Sequence, residues 1–219
     1  MKVILFGATG MVGQGVLREC LLDPDVQQVL SIVRTPSSQQ HEKLHELLHA
    51  NFFDYSEVES QLTGLDACFF SLGVSSAGMD EAKYTHLTYD LTISAATTLA
   101  KLNPQMTFIY VSGAGTDSTE RGRSMWARIK GKAENDILKL PFRAAYMFRP
   151  GFIQPLHGIR SKTRLYHTFY AVLSPILPFL KFTLPQYVTT TEQVGRAMLQ
   201  VAKHGYPRPI LESKDIDNL

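Results

Sequence analysis

Short apolar runs, separated by stretches whose apolar residues recur every three or four positions, extend along most of the chain. The runs fall near 2–7, 28–33, 50–53, 66–72, 106–112 and 143–149, with a shorter one near 208–212. Runs of this length bounded by turn residues read as buried strands, and the helical periodicity between them reads as crossovers. In the first crossover Val12, Val16 and Cys20, with Leu17 and Leu21, share one helix face, and Asp23-Pro24-Asp25 ends it. Ser56-x-x-Glu59 reads as a capping box before Gly64, and Thr189-x-x-Glu192 or Thr190-x-x-Gln193 opens a late helix that Gly205 and Pro207 stop. The pattern predicts an α/β fold, a doubly wound and mainly parallel sheet with helices on both faces. A length of 219 residues suits one domain with a sizeable core, so 1–219 is expected to be a single domain, with 155–188 as a small C-terminal insert.

The first run ends in Gly7-Ala8-Thr9-Gly10-Met11-Val12-Gly13. A buried strand feeding a glycine-rich turn and a helix N-terminus is suited to a pyrophosphate, which accepts from the free backbone amides of the first turn. Gly7 turns the chain off the strand, Gly10 leaves room for phosphates, and Gly13 lets helix and strand approach closely. Ala8 stands where the dinucleotide pattern carries its second glycine.

Charge and cysteine content narrow the partners. The formal net charge is +2 with 19% charged residues, which gives no basic field for nucleic acid and no acidic tail. Cys20 and Cys68 fall in a helix and a strand, as expected of reduced packing cysteines, and Lys2 precedes an apolar run too short and glycine-rich for a secretory signal. The expectation is a cytoplasmic protein acting on a small molecule.

Three further segments sharpen the comparison: Val-Ser-Gly-Ala-Gly at 111–115, Trp-Ala-Arg-Ile-Lys-Gly-Lys-Ala-Glu at 126–134, and Phe-Arg-Pro-Gly-Phe at 148–152. With the N-terminal turn they resemble an atypical short-chain dehydrogenase/reductase, in particular the single-domain NAD(P)H-binding proteins of the NmrA-like and Tat-interacting oxidoreductase group. The resemblance covers most of residues 1–155 in order and weakens thereafter. It implies a Rossmann domain with the cofactor pyrophosphate on Gly7 to Gly13. It further implies Asp54 near the adenine, Leu72 and Gly73 against the ribose, and Pro150, Gly151 and Phe152 behind the nicotinamide. Asp54 is equally a turn residue ahead of Ser56. In the family a serine and a Tyr-x-x-x-Lys pair act together on the reacting oxygen. Ser112 and Lys130 match, whereas the tyrosine position holds Trp126.

An indole N–H donates a hydrogen bond but does not exchange its proton near neutral pH, so the usual acid/base group is missing. Three consequences remain open. Water or Tyr84, Tyr89 or Tyr110 supplies the proton; Trp126 stacks on a flat quinone or flavin; or turnover is lost and the fold serves as a cofactor sensor, reporting through a regulatory partner. Trp126 as a core residue, Ser112 as a turn residue and Lys130 as a surface lysine paired with Glu134 are the structural alternatives. For the cofactor, the second strand ends at Arg34, with Thr35, Ser37 and Ser38 following, rather than at an acidic residue. A guanidinium beside hydroxyls accommodates a 2′-phosphate, so NADP(H) is expected over NAD(H). Arg149 is assigned to securing its loop.

Two segments point elsewhere. His45-Glu46-Leu47-Leu48-His49 spells H-E-x-x-H, a zinc motif when helical, and His41 extends the stripe. Read as a helix between the second and third strands, it buries Leu44, Leu47 and Leu48 and leaves its histidines at the flank, so no metal site is assigned. Residues 165–185 are strongly apolar but broken by Pro175, Pro178 and Lys181, which argues against a membrane span. A substrate lid is the favoured reading, with a homodimer surface, a membrane-surface foot beside Lys162 and Arg164, or ordinary packing against the sheet edge as alternatives.

Overall fold

A computed structural model describes residues 1–37, 39–159 and 188–219. The strands β1 (Lys2–Phe6), β2 (Gln28–Val33), β3 (Leu44–Leu48), β4 (Ala67–Phe70), β5 (Thr107–Val111) and β6 (Ala144–Arg149) are followed by β7 (Phe152–Gln154), β8 (Val188–Thr190) and β9 (Ile210–Glu212). Seven of them form one sheet in the order β3-β2-β1-β4-β5-β6-β9, with every neighbouring pair parallel. β7 and β8 pair separately, also in parallel. The strand order reverses between β1 and β4, and ligands of open parallel sheets bind past the strand carboxyl ends at such a switch point.

Alternate residues of each strand supply two cores. Val3 and Leu5 of β1 join Val16, Leu17 and Cys20 of α1 (Met11–Leu22) on one face. Ile4 and Phe6 join Ala95, Ala96 and Leu99 of a helix on the other. That second helix starts as α2 (Glu81–Thr85), passes through a π-turn at His86–Asp90 and continues as α3 (Leu91–Leu102). α4 (Met125–Ile137) completes the second face, and α5 (Thr191–His204) lies beside α1 on the first. The short α6 (Ser213–Asp217) follows β9. Because both faces are covered, the strands read as continuous apolar runs rather than alternating ones.

α1 and α5 meet backbone to backbone. A Cβ at Gly15 would lie 2.5 Å from the Thr191 carbonyl oxygen, and one at Gly195 would lie 2.7 Å from Glu19 Cγ. The Thr190 hydroxyl caps α5 by accepting from Gln193 N–H at 3.0 Å, as one of the two expected boxes requires, and Gly205 ends the helix at φ +74°.

The structure departs from the expected elements around residue 45. Leu44–Leu48 is the edge strand β3 rather than a helix, and 51–53 form a turn rather than a strand. A helix this short is marginal on its own, whereas hydrogen bonding along β2 supplies a complete ladder for Leu44–Leu48. In an extended strand residues four apart are about 13 Å apart. His45 is exposed, while His49 is buried with Nε2 2.7 Å from the Asp54 carbonyl oxygen, so the motif's zinc geometry does not form. Ser56 does not cap the 3-10 turn Ser56–Gln61 either; Asp54 Oδ1 accepts its N–H at 2.9 Å. The apolar segment at 165–185 and Ser38 lie outside the described residues, as does nearly all of the expected 155–188 insert.

Gly15→Ala is expected to destabilise the fold by about 1–3 kcal/mol, because a backbone carbonyl opposes the new methyl. Gly195→Ala should cost less, since the opposing Glu19 side chain can move and alanine gains about 1 kcal/mol of helix propensity. Paired urea titrations check the ranking.

Candidate cofactor and catalytic site

The glycine turn is built by contacts that exclude side chains. Gly7 sits at φ +84°, and a Cβ there would lie 2.8 Å from Leu72 N. At Gly13 a Cβ would lie 2.0 Å from the Gly7 carbonyl oxygen and 2.9 Å from Ser71 Oγ. Gly10 N–H donates to the Gly7 carbonyl at 2.8 Å, and Gln14 Nε2 reaches back to the Thr9 carbonyl at 3.2 Å, closing the turn. Gly10 caps α1 without a side-chain oxygen, and the first turn has no acidic residue. The amides of Met11, Val12 and Gly13 are therefore left to an anion. Ala8 is buried against the first core, and Thr9 is exposed. The Ser71 hydroxyl donates to the Phe6 carbonyl at 2.8 Å, pinning the end of β4 to β1 beside Gly13. This cradle fits a dinucleotide pyrophosphate.

Arg34 follows β2 directly and is exposed. An acid does reach this loop, though from the neighbouring strand: the Glu46 carboxylate accepts Ser37 N–H at 3.0 and 3.3 Å. Asp54 is exposed, and the Ser56 amide and hydroxyl hold its carboxyl below the usual range. Its loop is fixed to the helix after β4, where the Phe53 ring stacks on His86 at 4.2 Å and the Phe53 carbonyl accepts from Ser94 Oγ at 2.8 Å. Leu72 is half-buried and Gly73 exposed, and a Cβ on Gly73 would meet open space.

Ser112, Trp126 and Lys130 converge, though not as three equivalent donors toward a substrate. The Lys130 ammonium donates to the Ser112 carbonyl, and burial lowers its pKa to about 8 against the opposing pull of Glu134. Lys130 makes no surface pair with Glu134. Instead the Glu134 carboxylate, fully buried, accepts from Ser112 Oγ at 2.5 Å and from Arg149 Nε at 3.0 Å, with a second guanidinium nitrogen on its other oxygen. Arg149 also reaches Ser118 Oγ at 2.5 Å and Glu212 at 3.3 Å, so it secures its loop as expected. The Ser112 hydroxyl thus faces inward, an arrangement legible only once β5, α4 and β6 are packed together. Trp126 is half-buried and outside both apolar cores, its six-membered ring 3.6 Å from where a Gly115 Cβ would stand.

Behind the nicotinamide side expected from sequence, the Pro150 carbonyl accepts Ala114 N–H at 2.9 Å, Gly151 N–H donates to Ser213 Oγ at 2.9 Å, and Phe152 opens β7. Of the candidate phenols, Tyr84 and Tyr110 are buried, and burial pushes Tyr110 ionisation well up. Tyr89 donates to Asp136 at 2.7 Å, and burial followed by that bond raises it to about 12. A cavity of about 270 Å3 lies at the far end of α1, between Glu19, Leu22 and Asp23 and the α5 residues Arg196 and Lys203. Its charges are already paired, Lys203 to Asp23 at 2.7 Å and Arg196 to Glu19 at 3.3 Å. Among the described residues no group of three or more His, Cys, Asp or Glu side chains could hold a metal, and no helix is long and apolar enough to cross a membrane.

Residues 7–139 match the NAD(P)H-binding family. The chain is 27% identical over 215 residues to FMP52-2 of Scheffersomyces stipitis, covering 96% of this chain and 89% of that protein. It is 30% identical over 170 residues to fmp52 of Emericella nidulans, covering 74% and 70%. Both relatives are named as mitochondrial proteins, which overturns the cytoplasmic expectation; targeting of homologues is not encoded in the apolar pattern that shapes the fold. Among solved structures, DesIV, a dTDP-glucose 4,6-dehydratase of Streptomyces venezuelae with NAD bound, superposes with TM-score 0.70 at 14% identity over 100% of this chain and 79% of its own. A short-chain dehydrogenase/reductase of Saccharomyces cerevisiae superposes with TM-score 0.67 at 13% identity, over 98% and 96%. These structures share the Rossmann-type fold, and the match over residues 7–139 shows the family: the chain belongs to the NAD(P)H-binding family.

Proposed function

We propose that the protein is an NADP(H)-preferring oxidoreductase acting on a small, flat, conjugated acceptor of the quinone-like or flavin-like kind. The observation that carries this reading is the half-buried Lys130, whose ammonium donates to the Ser112 carbonyl at the end of β5, with Trp126 one helical turn before it. In this reading Gly7 to Gly13 hold the pyrophosphate, Arg34 the 2′-phosphate, Asp54 the adenine, and Leu72, Gly73 and Lys130 the nicotinamide ribose. Pro150, Gly151 and Phe152 back the ring. The bound nicotinamide supplies a hydride.

Trp126 and Ser112 decide the acceptor class. The indole gives no proton and the serine hydroxyl is already donated to Glu134, so the usual carbonyl-polarising pair is weak here. A quinone or flavin accepts hydride with its charge spread over conjugated atoms, and the broad Trp126 face offers it a stacking surface. Simple carbonyls are correspondingly poorer substrates. The same two features support a second reading, a non-catalytic NADP(H) sensor acting through a partner, and turnover separates the two.

Calorimetric titration should show NADPH binding more tightly than NADH, and Arg34→Glu should cut that preference at least about tenfold, the equivalent of about 1.4 kcal/mol. An unchanged preference would remove Arg34 from the site. Lys130 binds better when protonated, and burial lowers its pKa to about 8. NADPH affinity is therefore full below that pH and declines as pH rises through it, with Lys130→Met abolishing the dependence. NADPH oxidation across a quinone, flavin and carbonyl panel is expected to favour the first two, with Trp126→Tyr raising carbonyl reduction on the order of 10²-fold. Tight NADPH binding without turnover on any of the three classes selects the sensor.

A further inference from the structure

Glu134 is a fully buried carboxylate at the centre of the site's polar contacts. It takes the Ser112 hydroxyl at 2.5 Å and the Arg149 guanidinium through both oxygens, and it stands one helical turn beyond Lys130 on α4. Ser112 links the two directly, its side chain on Glu134 and its carbonyl on the Lys130 ammonium. A helix that needed only to pack here would place an apolar residue at this position, since burying an ion pair seldom adds net stability. We propose that Glu134 is a positioning residue for cofactor binding: through Ser112 it holds Lys130 at the ribose, and it stands one helical turn away as the counter-charge to the ammonium.

The charged groups around Lys130 support this assignment. Arg149 of β6 is the neighbouring cation, and its guanidinium is turned onto Glu134, Ser118 and Glu212. Glu212 of β9 is half-exposed and reaches Arg149 from the outer side. Tyr110 of β5 feels both Glu134 and Tyr84 of α2 and remains neutral. Asp117 and Glu120, in the loop before α4, are committed elsewhere: Asp117 to Thr119 and Gly122, Glu120 to Asn135. Glu134 is thus the carboxylate whose field raises the lysine's proton affinity against burial. Buried lysines without such a counter-charge titrate at about 5–6.

The inference rests on Lys130 being a cofactor ligand, and its test separates the two claims. Protein labelled with 13Cε-lysine is titrated by NMR without cofactor, with Lys130→Met assigning the resonance, and NADPH binding is followed in parallel. The Lys130 signal should titrate near 8 in the wild-type protein. Glu134→Gln should move it about one pH unit or more lower. The double variant Glu134→Gln with Arg149→Gln, which removes both members of the buried Glu134–Arg149 pair, should shift it in the same direction. In both variants the decline of NADPH affinity should move to lower pH with the resonance. A wild-type midpoint of about 5–6, or an unchanged midpoint in whichever variant folds, overturns the proposal. A shifted resonance in a protein that binds no NADPH leaves the Glu134 coupling standing and overturns the cofactor reading instead.

Discussion

The structure depends first on how closely α1 can approach the end of β1. A Cβ on Gly13 would stand 2.0 Å from the Gly7 carbonyl oxygen, so no other residue could hold this contact without moving the helix. Because the helix sits there, its first amides point out of the turn where β1 and β4 diverge, and Ser71 fills the remaining space by donating to Phe6. The same helix is clamped from behind by α5 through Gly15 and Gly195. The shape of this turn is therefore a property of backbone packing on three sides, rather than of any side chain that could be exchanged for another.

A second constraint is electrostatic. Glu134 and Arg149 are buried together, and losing either partner of such a pair typically costs about 3–5 kcal/mol, because the other charge is left unsolvated. That cost ties β5, α4 and β6 into one unit at their carboxyl ends, with Ser112 and Ser118 as its hydroxyl contacts. It also withdraws Ser112 from the open side of the site. Lys130 holds the Ser112 carbonyl instead, and Trp126 stands one helical turn before it on α4, beside Gly115.

Much of this was legible along the chain. Strand positions at 2–6, 28–33, 107–111 and 144–149 follow from apolar runs that only a sheet covered on both faces requires. Gly7, Gly10 and Gly13 could be assigned because their spacing serves local geometry, and Arg149 because an arginine before Pro-Gly has few roles other than fixing its loop. The segment 44–48 misled because leucine and glutamate favour a helix locally, whereas the open edge of β2 supplies a ladder of backbone partners. The Glu134 i,i+4 spacing from Lys130 suggested a surface pair; its true partners lie 22 and 15 positions away, on other elements.

By itself the sequence determined the fold class and the glycine turn between β1 and α1, since both follow from periodicity and from contacts among residues close together in the chain. It also determined that the tyrosine position holds an indole. Only the tertiary structure decided which way the Ser112 hydroxyl points, what charge stands beside Lys130 and that the H-E-x-x-H residues form an edge strand. Those outcomes depend on charges and hydrogen-bond partners brought together from distant strands, and pairing across such distances leaves no periodic signal in the chain.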